Sequence, residues 1–280
     1  MLPHLPPRPA DSHKGTFGRV FIVGGSEPMI GAPAFAGTAA LRMGSGLVQI
    51  ATPRSILPHS LSICPELIGL PLTPSSLRAF DEAADKATSI AIGPGLGQSA
   101  QSFTLLKHLI RIKDKPLVID ADALNLLSKQ KRWPATFRAA AVLTPHPGEM
   151  KRLMNLLDTN LTDVPTDDAG RLKLATLAAQ TFKCVILLKG HRTVITDGTR
   201  HHVNTTGDSS LAKAGTGDIL TGILASLLGQ KMPPYDAACL AAHLHGSAGE
   251  LAGKRLGQRS TLARDILDSI PQAIHQYKRA

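Results

Sequence analysis

The stretch "PLVIDADALNLL", Pro116–Leu127, decides how the chain is read. Leu117, Val118 and Ile119 are apolar in succession, so both faces of that strand need cover, as in a parallel sheet between helices. Asp120 and Asp122 then end the strand, with Asn125 one turn into a following helix. Two carboxylates so placed can order a magnesium–phosphate assembly or meet hydroxyls. Asp122 equally suits a cap on that helix.

The same pattern recurs outward from this stretch. "RVFIVGG" (Arg19–Gly25), "LVQIAT" (Leu47–Thr52), "SIAIGPG" (Ser89–Gly95), "AAVLTPH" (Ala140–His146) and "CVILLKG" (Cys184–Gly190) are short, β-branched runs that end in Gly, Pro, Thr or His. Helical patterns cover Ala32–Met43, Ala100–Ile112, Pro147–Leu157 and Asp167–Phe182. This alternation predicts an α/β fold: a three-layer αβα domain with a mostly parallel central sheet and helices on both faces. Beyond Gly190, "TVITDG" and "RHHVN" flank an Asp-Gly-Thr turn and predict a hairpin at the sheet edge. From Gly217 onward the pattern is helical over Asp218–Leu228, Pro233–Ala252 and Leu262–Gln276. No linker interrupts the chain, so residues 13–280 are expected to form one domain behind a flexible, Pro-rich arm, residues 1–12.

Composition narrows the function. At 280 residues and 43% hydrophobic content the chain can bury a large core, and no run is long enough to span a bilayer. The N-terminus lacks the apolar core of a secretory signal. Cys64, Cys184 and Cys239 show no pairing pattern, which points to a reducing cytoplasm. Basic residues exceed acidic ones by 31 − 21 = 10, but they are dispersed and aromatics are only 4%. That disfavours a nucleic-acid binder and fits either an attraction for anionic small molecules such as nucleotides or a solvated basic surface. His201–His202 and His243/His245 are not spaced to share a metal.

In open parallel sheets, ligands bind beyond the carboxyl ends of the strands. The unusual residues lie there. "GGSEPMIGAPAFAG" (Gly24–Gly37) and "IGPGLGQ" (Ile92–Gln98) leave room for close ligand approach, though the first matches neither the dinucleotide fingerprint nor a Walker A loop. "LTPHPGEMKRL" (Leu143–Leu153) holds His146 between prolines, with Glu149 suited either to the first turn of a helix or to a ligand. Lys189-Gly190 ends a buried strand, where a lysine can meet a phosphate or snorkel to solvent. "AGTGD", Ala214–Asp218, opens the apolar helix "ILTGILASLLG", so its free N–H groups can bind a transferring phosphoryl group beside an aspartate base. A plain helix cap explains Thr216 or Asp218 singly. Asp208, in the nearby "TTGD", carries no assignment.

An anion hole of this type resembles those of the ribokinase-like superfamily of small-molecule kinases. More closely, the ordered series "HKGTFGRVFIVGGS", "GAPAFAGTAALRMGSGLV", "IGPGLGQ", "VIDADALNLL", "TPHPGEMKRL", "VILLKGHRTVI" and "NTTGDSSLAKAGTGDILTGILASLLGQ" resembles the ADP-dependent NAD(P)H-hydrate dehydratases, from about His13 to the C-terminus. The resemblance implies dehydration of the S form of hydrated NADH or NADPH, with ADP consumed to AMP and phosphate. By it, Asp218 is the catalytic base, and Gly95, His146 and Asp218 touch the hydrate, as does one of Ala32 and Ala36. Lys189, Gly190, His191, Arg192 and Thr193, with Ala214, Gly215, Thr216 and Gly217, hold the adenine nucleotide or its transferring phosphoryl. It further implies ADP in preference to ATP, Mg2+ with ligands unassigned, a homo-oligomer expected as a tetramer, and no counterpart here to the epimerase domain fused to some relatives. The alternative is a ribokinase-like kinase of a small alcohol or vitamin precursor, which would leave a stable phosphorylated product.

Overall fold

The structure, a computed structural model, describes residues 2–131, 133, 137 and 139–277. Among the described residues nine strands form one sheet: β1 (Arg19–Val23), β2 (Leu47–Pro53), β3 (Ile68–Leu72), β4 (Ser89–Ile92), β5 (Leu117–Ile119), β6 (Ala141–Leu143), β7 (Val185–Leu188), β8 (Val194–Thr196) and β9 (His201–Val203). Their order is β3-β2-β1-β4-β5-β6-β7-β8-β9. All pairings from β3 to β7 are parallel, and β8 and β9 close that edge as an antiparallel hairpin. The three-layer αβα fold with an edge hairpin is therefore as the sequence predicts.

Sequence periodicity does not reveal β3. Its residues, Ile-Gly-Leu-Pro-Leu, contain Gly69 and Pro71, which read as breakers. Proline is tolerated there because β3 is the outermost strand on its side.

Alternating side chains of each strand feed two cores. Val20 and Ile22 of β1 join one, packed under α1 (Gly31–Arg42), α2 (Leu57–Ile63), α8 (Thr216–Gly229), α9 (Pro234–Leu256) and α10 (Ala263–Tyr277). Phe21 and Val23 join the other, under α3 (Leu77–Lys86), α4 (Ala100–Leu109), α5 (Ala121–Ser128), α6 (Pro147–Leu153) and α7 (Asp168–Phe182). Double coverage is what the uninterrupted apolar runs require. Helix α6 stops at Leu153, and a single 3-10 turn, Met154–Leu156, follows where the sequence predicts continued helix. The Pro-rich arm is fastened at several points. Leu2 and Leu5 pack on the first core, Tyr277 donates a hydrogen bond to the Pro3 carbonyl at 2.6 Å, and Arg8 stacks 3.6 Å over the Phe17 ring.

Two features of this topology make the site. The sheet grows in opposite directions from the β1/β4 boundary, the switch point where loops diverge and leave a crevice. There the two glycine loops meet: Gly25 donates to the Pro94 carbonyl at 2.8 Å, and a Cβ on Gly24 would lie 2.2 Å from that oxygen. The second feature is α8, buried along its whole length except at Gly217 and Asp218 in its first turn. Helix α1 approaches it closely enough that a Cβ on Gly222 would lie 2.0 Å from the Ala36 carbonyl oxygen.

Gly222→Ala sets a helix-propensity gain of about 1 kcal/mol against an overpacking cost of about 1–3 kcal/mol. At 2.0 Å from a backbone atom the cost wins. The expected result is a lower Tm in a thermal melt, and an unchanged or higher Tm would contradict the seam.

Candidate active site

Helix α8 begins without a side-chain cap. Its N-cap is Gly215, at φ 89°, a left-handed conformation that glycine adopts without strain. The Thr216 hydroxyl turns back to donate to the Leu211 and Lys213 carbonyls at 2.8 and 3.0 Å, closing the preceding loop instead of capping the helix. The Thr216 and Ile219 N–H groups reach the Lys213 and Gly215 carbonyls at 3.5 and 3.4 Å, which leaves those of Gly217 and Asp218 for an external acceptor. Lys189 faces the same point: a Cβ on Gly217 would be 3.7 Å from its ammonium nitrogen.

Lys189 does not snorkel. It turns inward at the end of β7 and donates to Asp120 Oδ1 at 2.7 Å, with Glu149 Oε2 at 3.7 Å; their side chains are 19%, 2% and 5% exposed. The second Asp120 oxygen accepts from the Thr221 hydroxyl of α8 at 2.7 Å. Burial opposes the charge on Asp120, but Lys189 and the Thr221 hydrogen bond outweigh it and hold the carboxyl below its usual range. The Lys189 pKa is instead raised: burial disfavours its charge, and Asp120 and Glu149 overcome that. The other two acids lack so close a counterion. Burial pushes Glu149 up to about 7, against the pull of Lys189. Burial also pushes Asp218 up to about 7, with Asp120 adding to the rise and Lys189 opposing it.

His146 is the N-cap of α6. Its Nδ1 accepts from the N–H groups of Gly148 at 2.9 Å and Glu149 at 3.4 Å, while Glu149 Oε2 accepts from the His146 N–H at 2.8 Å. An accepting Nδ1 places the ring proton on Nε2, 3.4 Å from Glu149 Oε1. Burial, then Lys189, lowers the His146 pKa, and its side chain is still 52% exposed, so it caps with one nitrogen and keeps an open edge. Asp122 neither caps α5 nor faces outward: it accepts from the Gly97 N–H at 2.8 Å and from Asn125 at 3.4 Å, clamping the β4 glycine loop.

On the β1 side, Gly95 sits at φ 61°, and a Cβ there would meet Ala32 Cβ at 2.9 Å. Ala32 therefore borders the glycine loop, whereas Ala36 is wholly buried against α8. On the β7–β9 side, a cavity of about 610 Å3 is lined by Lys189, Gly190, His191, Arg192, Thr193, Thr216 and Gly217, with His245 of α9. Ala214 and Gly215 are not in its lining. The structure thus brings the Lys189–Thr193 segment to the start of α8, and sets Gly95 and Ala32 on the far side of the sheet order.

Sequence reasoning missed Thr221 and Arg171. Buried Arg171 of α7 donates to the carbonyls of Leu188, Lys189, His191 and Arg192 at 2.7–3.3 Å, shaping the loop that walls the cavity. Gly190 marks it indirectly, since a Cβ there would lie 2.8 Å from the guanidinium.

A profile of the family described as NAD(P)H-hydrate dehydratase matches residues 20–272. The bifunctional NAD(P)H-hydrate repair enzyme of Moorella thermoacetica is 42% identical over 96% of this chain and 52% of its own length. The ADP-dependent (S)-NAD(P)H-hydrate dehydratase of Neisseria meningitidis is 36% identical over 98% of this chain and 93% of its own. The chain spans about half the length of the bifunctional relatives. Among solved structures, the ADP/ATP-dependent NAD(P)H-hydrate dehydratase of Bacillus subtilis, co-crystallised with ATP/Mg2+, gives a TM-score of 0.81 at 33% identity, covering 98% of this chain and 94% of that one. A ribokinase-like superfamily protein of Enterococcus faecalis gives 0.80 at 28% identity, covering 98% and 92%.

An acid whose pKa is raised to about 7 on folding costs stability once pH exceeds its unfolded value, and the cost is complete above about 7. Asp218→Asn should therefore melt at a higher temperature than the parent protein at pH about 8, with the gap narrowing toward pH about 5. Equal Tm values across that range would show that Asp218 is not destabilised by its surroundings.

Proposed function

The chain belongs to the NAD(P)H-hydrate dehydratase family, with a ribokinase-like fold, and on that premise we propose that it dehydrates the S form of hydrated NADH or NADPH while converting ADP to AMP and phosphate. The observation that carries this reading is the meeting of Asp218, the uncapped start of α8 and Lys189.

Hydroxide leaves a hydrated nicotinamide ring poorly, and phosphate leaves well. ADP lies in the cavity walled by Lys189–Thr193, with its terminal phosphoryl at the start of α8. Asp218 takes the proton of the ring hydroxyl as that oxygen attacks phosphorus and the bond to AMP breaks. A pKa of about 7 suits a base that works near neutrality. The N–H groups around Gly215–Gly217 and the Lys189 ammonium carry the charge that gathers on the phosphoryl oxygens. Phosphate then departs with the carbon–oxygen bonding pair as the neighbouring ring carbon loses a proton, restoring the dihydronicotinamide. Gly95, Ala32 and the open edge of His146 border the hydrate.

Magnesium would enter with the nucleotide co-substrate and help neutralise its phosphates, which needs no dedicated protein cage; among the described residues no group of three or more His, Cys, Asp or Glu could hold a metal. No helix of the described residues is long and apolar enough to cross a membrane. The proposal extends to a cytoplasmic homo-oligomer, a tetramer, and three buried, unpaired cysteines support the reducing compartment.

Protein incubated with hydrated NADH or NADPH, magnesium and either ADP or ATP should regenerate dihydronicotinamide absorbance, and with ADP should release AMP and phosphate in equal amounts. A stable phosphorylated product without regained absorbance would assign kinase chemistry instead. Turnover should rise with pH through about 7, as Asp218 loses its proton. A rate independent of pH across that interval would remove Asp218 as the base.

A further inference from the structure

Asp120 has no assigned role in the chemistry above, yet it is the most constrained charged group at the site. It is 2% exposed, so it cannot touch a ligand. Its backbone is pinned: its N–H donates to the Ile92 carbonyl at 3.0 Å, and the β4 loop passes so close that a Cβ on Gly93 would lie 1.7 Å from the Asp120 carbonyl oxygen. Each side-chain oxygen ties a different element of the site. Oδ1 accepts from Lys189, which faces the phosphoryl position, and Oδ2 accepts from Thr221, one helical turn beyond Asp218 on the same face of α8.

We infer that Asp120 is a positioning residue, which through Thr221 fixes the helix turn carrying Asp218 relative to the lysine that meets the nucleotide phosphates. The inference rests on the proposed role of Asp218. An amide cannot replace the carboxylate, because it offers one acceptor where two donors must be met. Glutamate adds a methylene to a site with no room for it. Thr221 likewise needs its hydroxyl: it is wholly buried, and valine of the same shape would leave Oδ2 without a donor from α8.

Asp120 also acts on Asp218 through space. The charged groups that face Asp218 are Asp120 from the end of β5 and Lys189 from the end of β7; Glu149 and His146 of the α6 start act on that pair, and His245 of α9 is buried, its pKa lowered by that burial to about 4. Removing the Asp120 charge while Lys189 stays therefore lowers the Asp218 pKa.

Two measurements test this on the full chain. The Asp218 carboxyl titration is read by carbon NMR, with Asp218→Asn to assign the signal, in the parent protein, Asp120→Asn and Thr221→Val. Steady-state kinetics in ADP and hydrated NADPH follow for the same variants and Thr221→Ser. The Asp218 midpoint should fall by more than about half a pH unit in Asp120→Asn, and the acid limb of kcat should move with it. Thr221→Val should lose about tenfold to a hundredfold in kcat, with KM for ADP within about twofold of the parent. Thr221→Ser should recover most of that loss. An unmoved Asp218 midpoint in Asp120→Asn, or an unchanged kcat in Thr221→Val, overturns the inference. A midpoint that shifts in Asp120→Asn, with a parent protein that never turns over the hydrate, would defeat the functional reading and leave the coupling standing.

Discussion

One buried ion pair organises this molecule: the Lys189 ammonium 2.7 Å from the Asp120 carboxylate. Taking either charge out of water alone would cost several kcal/mol, and removing one partner of such a pair costs about 3–5 kcal/mol, because the other is stranded. The pair exists because the parallel topology delivers the ends of β5 and β7 to the same edge of the sheet, two strands apart. Thr221 then draws α8 onto it. The burial of α8 along nearly its whole length is thus matched by a polar anchor that sets how far its first turn projects.

That anchor separates the acids by charge state. Asp120 consumes the lysine and stays ionised, while Glu149 and Asp218, buried nearby without an equally close partner, sit near 7. Carboxylates pushed apart by their surroundings are the usual mark of divided acid–base roles. Here the group free to exchange a proton near neutral pH is also the one beside an uncapped helix start. Neither half suffices alone. An uncapped helix binds anions in many settings, and a raised carboxylate pKa records burial; together they describe a place where a hydroxyl can be deprotonated and phosphorylated.

Much of this was legible in the sequence. Short apolar runs ending in Asp, Gly, Pro, Thr or His located six of the seven parallel strands and the loops that border the site. The missing strand, β3, lies at an edge where Gly69 and Pro71 are allowed and its periodicity is lost. Asp122 looked like a cap or a ligand and is a loop clamp, because its partner, Gly97, belongs to the neighbouring strand's loop. His146 read as a ligand-facing residue between prolines, yet one of its nitrogens caps α6 while its other edge stays open. The ties of Asp120 to Lys189 and Thr221 were out of reach for a stronger reason: those residues lie 69 and 101 positions away, and only sheet order brings them together. Arg171 was hidden in a helix, Asp168–Phe182, whose sequence carries no ligand motif, and the carbonyls it meets belong to a loop about 20 residues away.

The account's central claim is that the ring hydroxyl is phosphorylated before it leaves. The most direct measurement follows the oxygen of that hydroxyl. When hydrated NADPH labelled with heavy oxygen at the ring hydroxyl is turned over with unlabelled ADP, the label should appear in inorganic phosphate, seen as its mass shift. Label released into water, with unlabelled phosphate, would mean that the ring is dehydrated without phosphoryl transfer and would contradict the role given to Asp218 and the start of α8.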